Sequence, residues 1–174
     1  MTISTTVAVE QNALLNAARR KPHMAVGVLL YITYFILLTF NPQLPLLTEL
    51  HANELFKQLS GFVLLFFVLG QWWLGYLRMT GRQLEAAKHI PMHKWLGVFA
   101  PLILLIHTVE FGYAFQSVLL IVFVGTSLVG LVSFHDVRVR KPWFAKAWTV
   151  AHVSMAVALP VLILYHVYIT YTYS

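Results

Sequence analysis

The sequence predicts an all-α integral membrane bundle of five transmembrane helices, with the N-terminus cytoplasmic and the C-terminus outside. Three observations predict it. Of 174 residues, 59% are hydrophobic and only 10% are charged, against roughly 25% charged in an ordinary soluble domain. Apolar stretches at about 23–41, 57–78, 91–112, 115–134 and 146–171 each reach the roughly 20 residues needed to cross the hydrocarbon core. When these five spans alternate in direction, eleven of the twelve Lys and Arg residues fall on one side.

Residues 1–22 are polar and form a cytoplasmic N-terminal segment, either a short interfacial helix or a frayed tail. Span one follows Arg19, Arg20 and Lys21 in the manner of a signal peptide. It is longer than a signal-peptide core and no A-x-A-like site follows Phe40, so it reads as a retained span. Residues 23–174 then make up one transmembrane domain. Arg78, Arg82, Lys88 and Lys94 lie between spans two and three, and Arg138, Arg140, Lys141 and Lys146 between spans four and five. Lys57 alone lies on the opposite side. Basic residues concentrate on the cytoplasmic face of membrane proteins, which fixes the orientation. The net charge of +6 is then a matter of topology and anionic lipid rather than nucleic acid. The chain has no cysteine, which excludes disulfides, thiolate metal sites and cysteine-ligated iron–sulfur clusters. It also has no P-loop and no GxGxxG fingerprint.

Spans three and five carry a repeated pattern: HKWLGVFAPLILLIH at 93–107 and HVSMAVALPVLILYH at 152–166. Each opens and closes on histidine and has a proline eight positions after the first. Fourteen residues of helix turn through about 1,400°, close to four full turns, so the two histidines of each span share a face; they also rise about 21 Å. Spans three and five are parallel in the predicted topology. His93 can therefore face His152 on the inner side and His107 can face His166 on the outer side. Opposed imidazoles at two levels suit two b haems, whose iron takes axial nitrogens on opposite porphyrin faces. A single zinc would need its four ligands close together. Gly97 and Ala156, four residues after the first histidine of each copy, would give clearance beside the ring. Pro101 and Pro160 each free a backbone carbonyl one turn earlier and can bend the helix. Against this stands a plainer reading, in which membrane histidines serve as interhelical hydrogen-bond partners.

These residues resemble the ferric reductase-like transmembrane domain family. Its members are the membrane part of ferric reductases, NADPH oxidases and the haem subunit of a bacterial methionine sulfoxide reductase system. The matching pieces are HKWLG at 93–97 with His107, and His152 with His166 after the basic loop VRVRKPWF at 137–144, within roughly residues 55–170. The resemblance implies two stacked haem b groups, held by His93 and His152 and by His107 and His166. It implies transmembrane electron transfer as part of an oxidoreductase, within a bacterial inner membrane. Family members typically carry a sixth helix, and the oxidases and reductases also a dehydrogenase domain. Neither is expected here, so the expected partners are a separate electron donor (a flavoprotein reductase or quinol), an acceptor at the outer face, and the other subunits of a larger complex. The alternative function is a non-redox membrane subunit or assembly factor.

Arg78, Arg82, Lys94, Arg138 and Arg140 are candidates for contact with inner haem propionates, which seek cationic donors; topology and headgroup contact explain the same set. His89 shares a helical face with His93. His135 beside Asp136, and His23 and His51 at span ends, read as interfacial or solvated. The tryptophans at 72, 73, 95, 143 and 148 and the tyrosines at 168, 171 and 173 read as aromatic belts. Phe62, Phe66 and Phe67 are candidates for lining the haem cavity or for ordinary packing. Glu110, three residues after His107, is either a carboxylate partner of a ligand imidazole or a solvated helix end.

Overall fold

A computed structural model describes residues 22–40, 45–108, 112–132 and 141–173. The N-terminal segment, Glu110, and the loop carrying His135, Asp136, Arg138 and Arg140 lie outside the described residues. Seven helices make up the rest: α1 Pro22–Phe40, α2 Pro45–Ala52, α3 Glu54–Met79, α4 Gln83–Val98, α5 Ala100–His107, α6 Phe115–Leu131 and α7 Pro142–Tyr173. Among the described residues there is no strand.

Local chemistry sets the boundaries. Pro22, Pro45 and Pro142 open their helices, where a missing N–H costs nothing and φ is already helical. Asn53 caps α3, its side chain accepting from the Phe56 N–H at 3.0 Å, and Lys57 pairs with Glu54 in the first turn at 2.8 Å. At the other end Gly81 takes φ +76°, a left-handed conformation that glycine adopts without a Cβ clash. The Arg82 N–H then reaches the Leu77 carbonyl at 2.9 Å and the Gly81 N–H the Arg78 carbonyl at 3.2 Å. This pair of bonds is a Schellman turn, and it folds α4 back beside α3.

Three helices (α1, α3 and α7) are long and apolar enough to cross a membrane, and the α4–α5 pair makes a fourth if its 42° bend is one broken span. α6 has 17 residues, about 26 Å of helix, just short of a roughly 30 Å core. The bundle's surface is apolar: Leu29, Phe66, Val161 and Leu164 are each more than 60% exposed. Such a surface is suited to lipid rather than to water. The interior cluster of Tyr34, Val68, Ala100, Leu104, Leu120, Phe123 and Leu159 draws on α1, α3, α5, α6 and α7. All five apolar stretches therefore meet in one core.

The bend falls at Phe99, between α4 and α5. Pro101 cannot donate to the Gly97 carbonyl, and the Ser127 hydroxyl of α6 donates to it instead at 3.2 Å. Pro160 likewise frees the Ala156 carbonyl, which accepts from Trp72 Nε1 of α3 at 3.2 Å. The freed carbonyls have the same solution in both copies, a donor from a neighbouring helix. The two copies nevertheless differ in continuity. α7 runs unbroken through Pro160 for 32 residues, whereas the first copy is divided at Phe99.

Candidate functional site

The two repeated segments lie side by side with their histidines in register. His93 of α4 faces His152 of α7 with ring centres 6.3 Å apart and planes at 90°. His107 of α5 faces His166 of α7 at 6.4 Å and 88°. Because first meets first and second meets second, α4–α5 and α7 run parallel. The spacing is informative. Two imidazoles joined by a direct N–H···N hydrogen bond of about 3.0 Å would have centres about 5.2 Å apart. With one metal between the facing nitrogens, at about 2.0–2.1 Å from each, the centres lie about 6.3 Å apart. Both pairs have the longer spacing, and neither pair is hydrogen-bonded ring to ring.

In each pair one ring is anchored from a neighbouring helix. The Ser60 hydroxyl donates its only proton to the Lys57 carbonyl at 3.0 Å. His107 Nδ1 lies 3.1 Å from the same oxygen, and both contacts are hydrogen bonds only if Nδ1 carries a proton that Ser60 Oγ accepts. His152 Nδ1 lies 3.1 Å from the Thr126 carbonyl, which can only accept. Both contacts require Nδ1–H, so Nε2 of His107 and of His152 carries a lone pair, the form a metal binds. A glycine lies against each anchored ring. A Cβ on Gly61 would lie 3.3 Å from His107 Cε1, and one on Gly130 would lie 3.0 Å from His152 Cε1. Trp148 stacks on His152 at 5.1 Å and 14° and is itself held by its Nε1–H to the Val129 carbonyl at 2.7 Å. The opposing rings are less firmly held: Nδ1 of His166 is buried without a hydrogen-bond partner, and Nδ1 of His93 has only the nearby Gln71 backbone, short of hydrogen-bond geometry.

Each pair borders a cavity, and the two differ in size. The outer one encloses about 670 Å³ between His107 and His166, within the roughly 300–1,000 Å³ usual for organic ligands. Its lining includes Phe62, Phe123 and Ile163, with His51, Lys57 and Gln116 as polar members. The inner one encloses about 110 Å³ between His93 and His152, too little for a macrocycle unless Gln71, Phe67 or Trp72 at its border moves. Phe123 borders both spaces and packs against Phe67 at 6.4 Å, so it separates the two levels. Gly97 and Ala156 both border the inner space, and a Cβ on Gly97 would meet nothing within 4 Å. That is the clearance expected beside the first histidines.

The other expected residues divide. Lys94 borders the inner cavity, and Arg78 is near enough to act electrostatically on His93 and His152. Arg82 instead pairs with Glu85 on the surface, both side chains about half exposed. Phe62 lines the outer space and Phe67 the inner, but Phe66 is 68% exposed and lines neither. His23 and His51 are more involved than solvated span ends. His23 borders the inner cavity, and His51 Nε2 donates to the Ile106 carbonyl at 3.0 Å, pinning α2 to the end of α5. Trp72 and Trp148 tie helices together through backbone carbonyls, a role beyond that of a belt.

Ser60, Gly61, Thr126, Ser127 and Gly130 were not legible as site residues. Their only signal is that small and hydroxyl side chains in apolar spans mark close helix approach. Groups of three or more metal-ligating side chains are absent among the described residues; a bis-imidazole site needs only two protein ligands per iron. Comparison of the chain with protein-family models, with curated proteins and with solved structures finds no match. Its class rests on its own geometry: an all-helical apolar bundle with facing histidines at two levels.

Proposed function

We propose that the chain is a transmembrane dihaem b-type cytochrome. His93 and His152 would hold an inner haem, and His107 and His166 an outer one, within five spans whose N-terminus is cytoplasmic. The observation that carries this reading is the repeated ring geometry, with two independent pairs at the spacing of a shared metal and with perpendicular planes. When bound, each haem supplies a one-electron ferric–ferrous couple. The protein's part is to present bare Nε2 lone pairs, to exclude water with Phe62, Phe67, Phe123 and Ile163, and to keep the two levels apart. Two imidazoles per iron leave no open position, so the work is outer-sphere electron transfer rather than chemistry at iron. A separate flavoprotein or quinol on the cytoplasmic side would donate, and an acceptor would approach the outer edge. The resemblance to ferric reductase-like domains supports the same assignment, in a bacterial inner membrane.

A second reading, a non-redox subunit or assembly factor, draws on the interhelical hydrogen bonds of His107 and His152 and on the small inner cavity. Spectroscopy of the purified protein decides between them. The dihaem reading expects a reduced-minus-oxidised b-type α band amounting to two haems per chain, falling to one in His107→Ala. A colourless parent preparation would sink it, and unchanged haem content in His107→Ala would refute the pairing.

A further inference from the structure

We propose that Ser60 is the positioning residue that fixes the tautomer of His107 and thereby sets the reduction potential at the outer level, an inference that rests on the dihaem reading. Ser60 is buried, 5% exposed, in the second turn of the long apolar helix α3. Both of its polar functions are engaged. Its proton goes to the Lys57 carbonyl at 3.0 Å, and its oxygen faces His107 Nδ1 at 3.1 Å. The next residue, Gly61, leaves the space in which the His107 ring lies, since a Cβ there would be 3.3 Å from Cε1. Ser60 and Gly61 thus form one fitted seat on α3, a hydroxyl to hold the ring and a missing side chain to admit it.

The chemistry follows from the direction of the bonds. The hydroxyl has one proton and two neighbours, and both contacts are hydrogen bonds only when that proton goes to the Lys57 carbonyl and Oγ accepts from His107 Nδ1–H. In that arrangement His107 carries its proton on Nδ1 and leaves the Nε2 lone pair for a metal. An acceptor on the distal N–H of a ligating imidazole makes the ring a stronger donor and favours the ferric state. His166, the opposing ring, has no partner at Nδ1, so this effect enters the outer level through His107 alone. The inner level has its counterpart in the Thr126 carbonyl on His152, which no side-chain substitution removes. Ser60 is therefore the point at which one couple can be shifted without the other.

The experiment is potentiometric titration of the purified protein, with the outer couple identified as the one missing in His107→Ala. Ser60→Ala is expected to retain both haems and to raise the outer midpoint, by up to about tenfold in the ferric–ferrous equilibrium, or about 59 mV for one electron. The inner midpoint stays where it was. Ser60→Thr, which keeps the hydroxyl, returns the outer midpoint to the parent value. An unchanged outer midpoint in Ser60→Ala overturns the proposal, as does a shift that persists in Ser60→Thr. Loss of the outer haem in Ser60→Ala with retention in Ser60→Thr supports the hydroxyl's role, whereas loss in both overturns it. A colourless parent is a different failure, that of the dihaem reading itself.

Discussion

Gly130→Ala puts the inner histidine pair under a defined stress. The added Cβ would lie 3.0 Å from His152 Cε1, whereas carbon atoms in contact settle at about 3.5–4.0 Å. Something must therefore yield by about 0.5 Å or more. His152 cannot easily do so, because its Nδ1 is bonded to the Thr126 carbonyl and Trp148 stacks on its face. Overpacking of this kind costs about 1–3 kcal/mol. If the ring moves instead, its separation from His93 departs from 6.3 Å and a shared metal loses one good ligand. Gly70→Ala is the internal control, since a Cβ there meets nothing within 4 Å and alanine favours helix over glycine by about 0.5–1 kcal/mol. Haem content by pyridine haemochrome, with thermal melting in detergent, reads both effects. Gly130→Ala should melt lower and lose haem from the inner level while the outer band persists; Gly70→Ala should do neither. Two haems and an unaltered melting temperature in Gly130→Ala would refute the reasoning that this glycine seats His152.

Two further predictions test the freed carbonyls and the inner space. Ser127→Ala strips the Gly97 carbonyl of its donor and Trp72→Phe does the same for Ala156; each should destabilise the bundle by about 1–3 kcal/mol, read as a lower melting temperature. A Cβ at Gly97 meets nothing within 4 Å, and Gly97→Leu would extend a side chain into the small inner space that Gly97 borders, so inner haem should be lost and outer haem kept, read by haem content.

Much of this architecture was written in the sequence because it depends on spacing along single helices. A fourteen-residue step from histidine to histidine, with a proline eight positions after the first, places one face of each span whatever surrounds it, and the rings of His93 and His107 lie opposite those of His152 and His166. The carbonyls freed by Pro101 and Pro160 were equally legible, since the missing N–H is a property of proline itself. What received them was not. Ser127 and Trp72 are unremarkable as letters in an apolar run, and only the approach of α6 and α3 makes them donors. Arg82 shows the opposite failure: its charge suggested an anion partner, but Glu85 three residues on is nearer than any cavity. Likewise the divided first copy and the unbroken second share one proline spacing, so the difference does not come from that residue alone.

By itself, then, the sequence determined an apolar helical bundle with four histidines on two matched faces, because periodicity and hydrophobicity are summed over one chain segment at a time. Only the tertiary structure decided that the rings stand 6.3 and 6.4 Å apart at right angles, that Ser60 and the Thr126 carbonyl select their tautomers, and that the outer space is roomy and the inner one tight. Those properties belong to pairs of helices, and the distance between two helices is set by the smallest side chains at their contact, here Gly61 and Gly130.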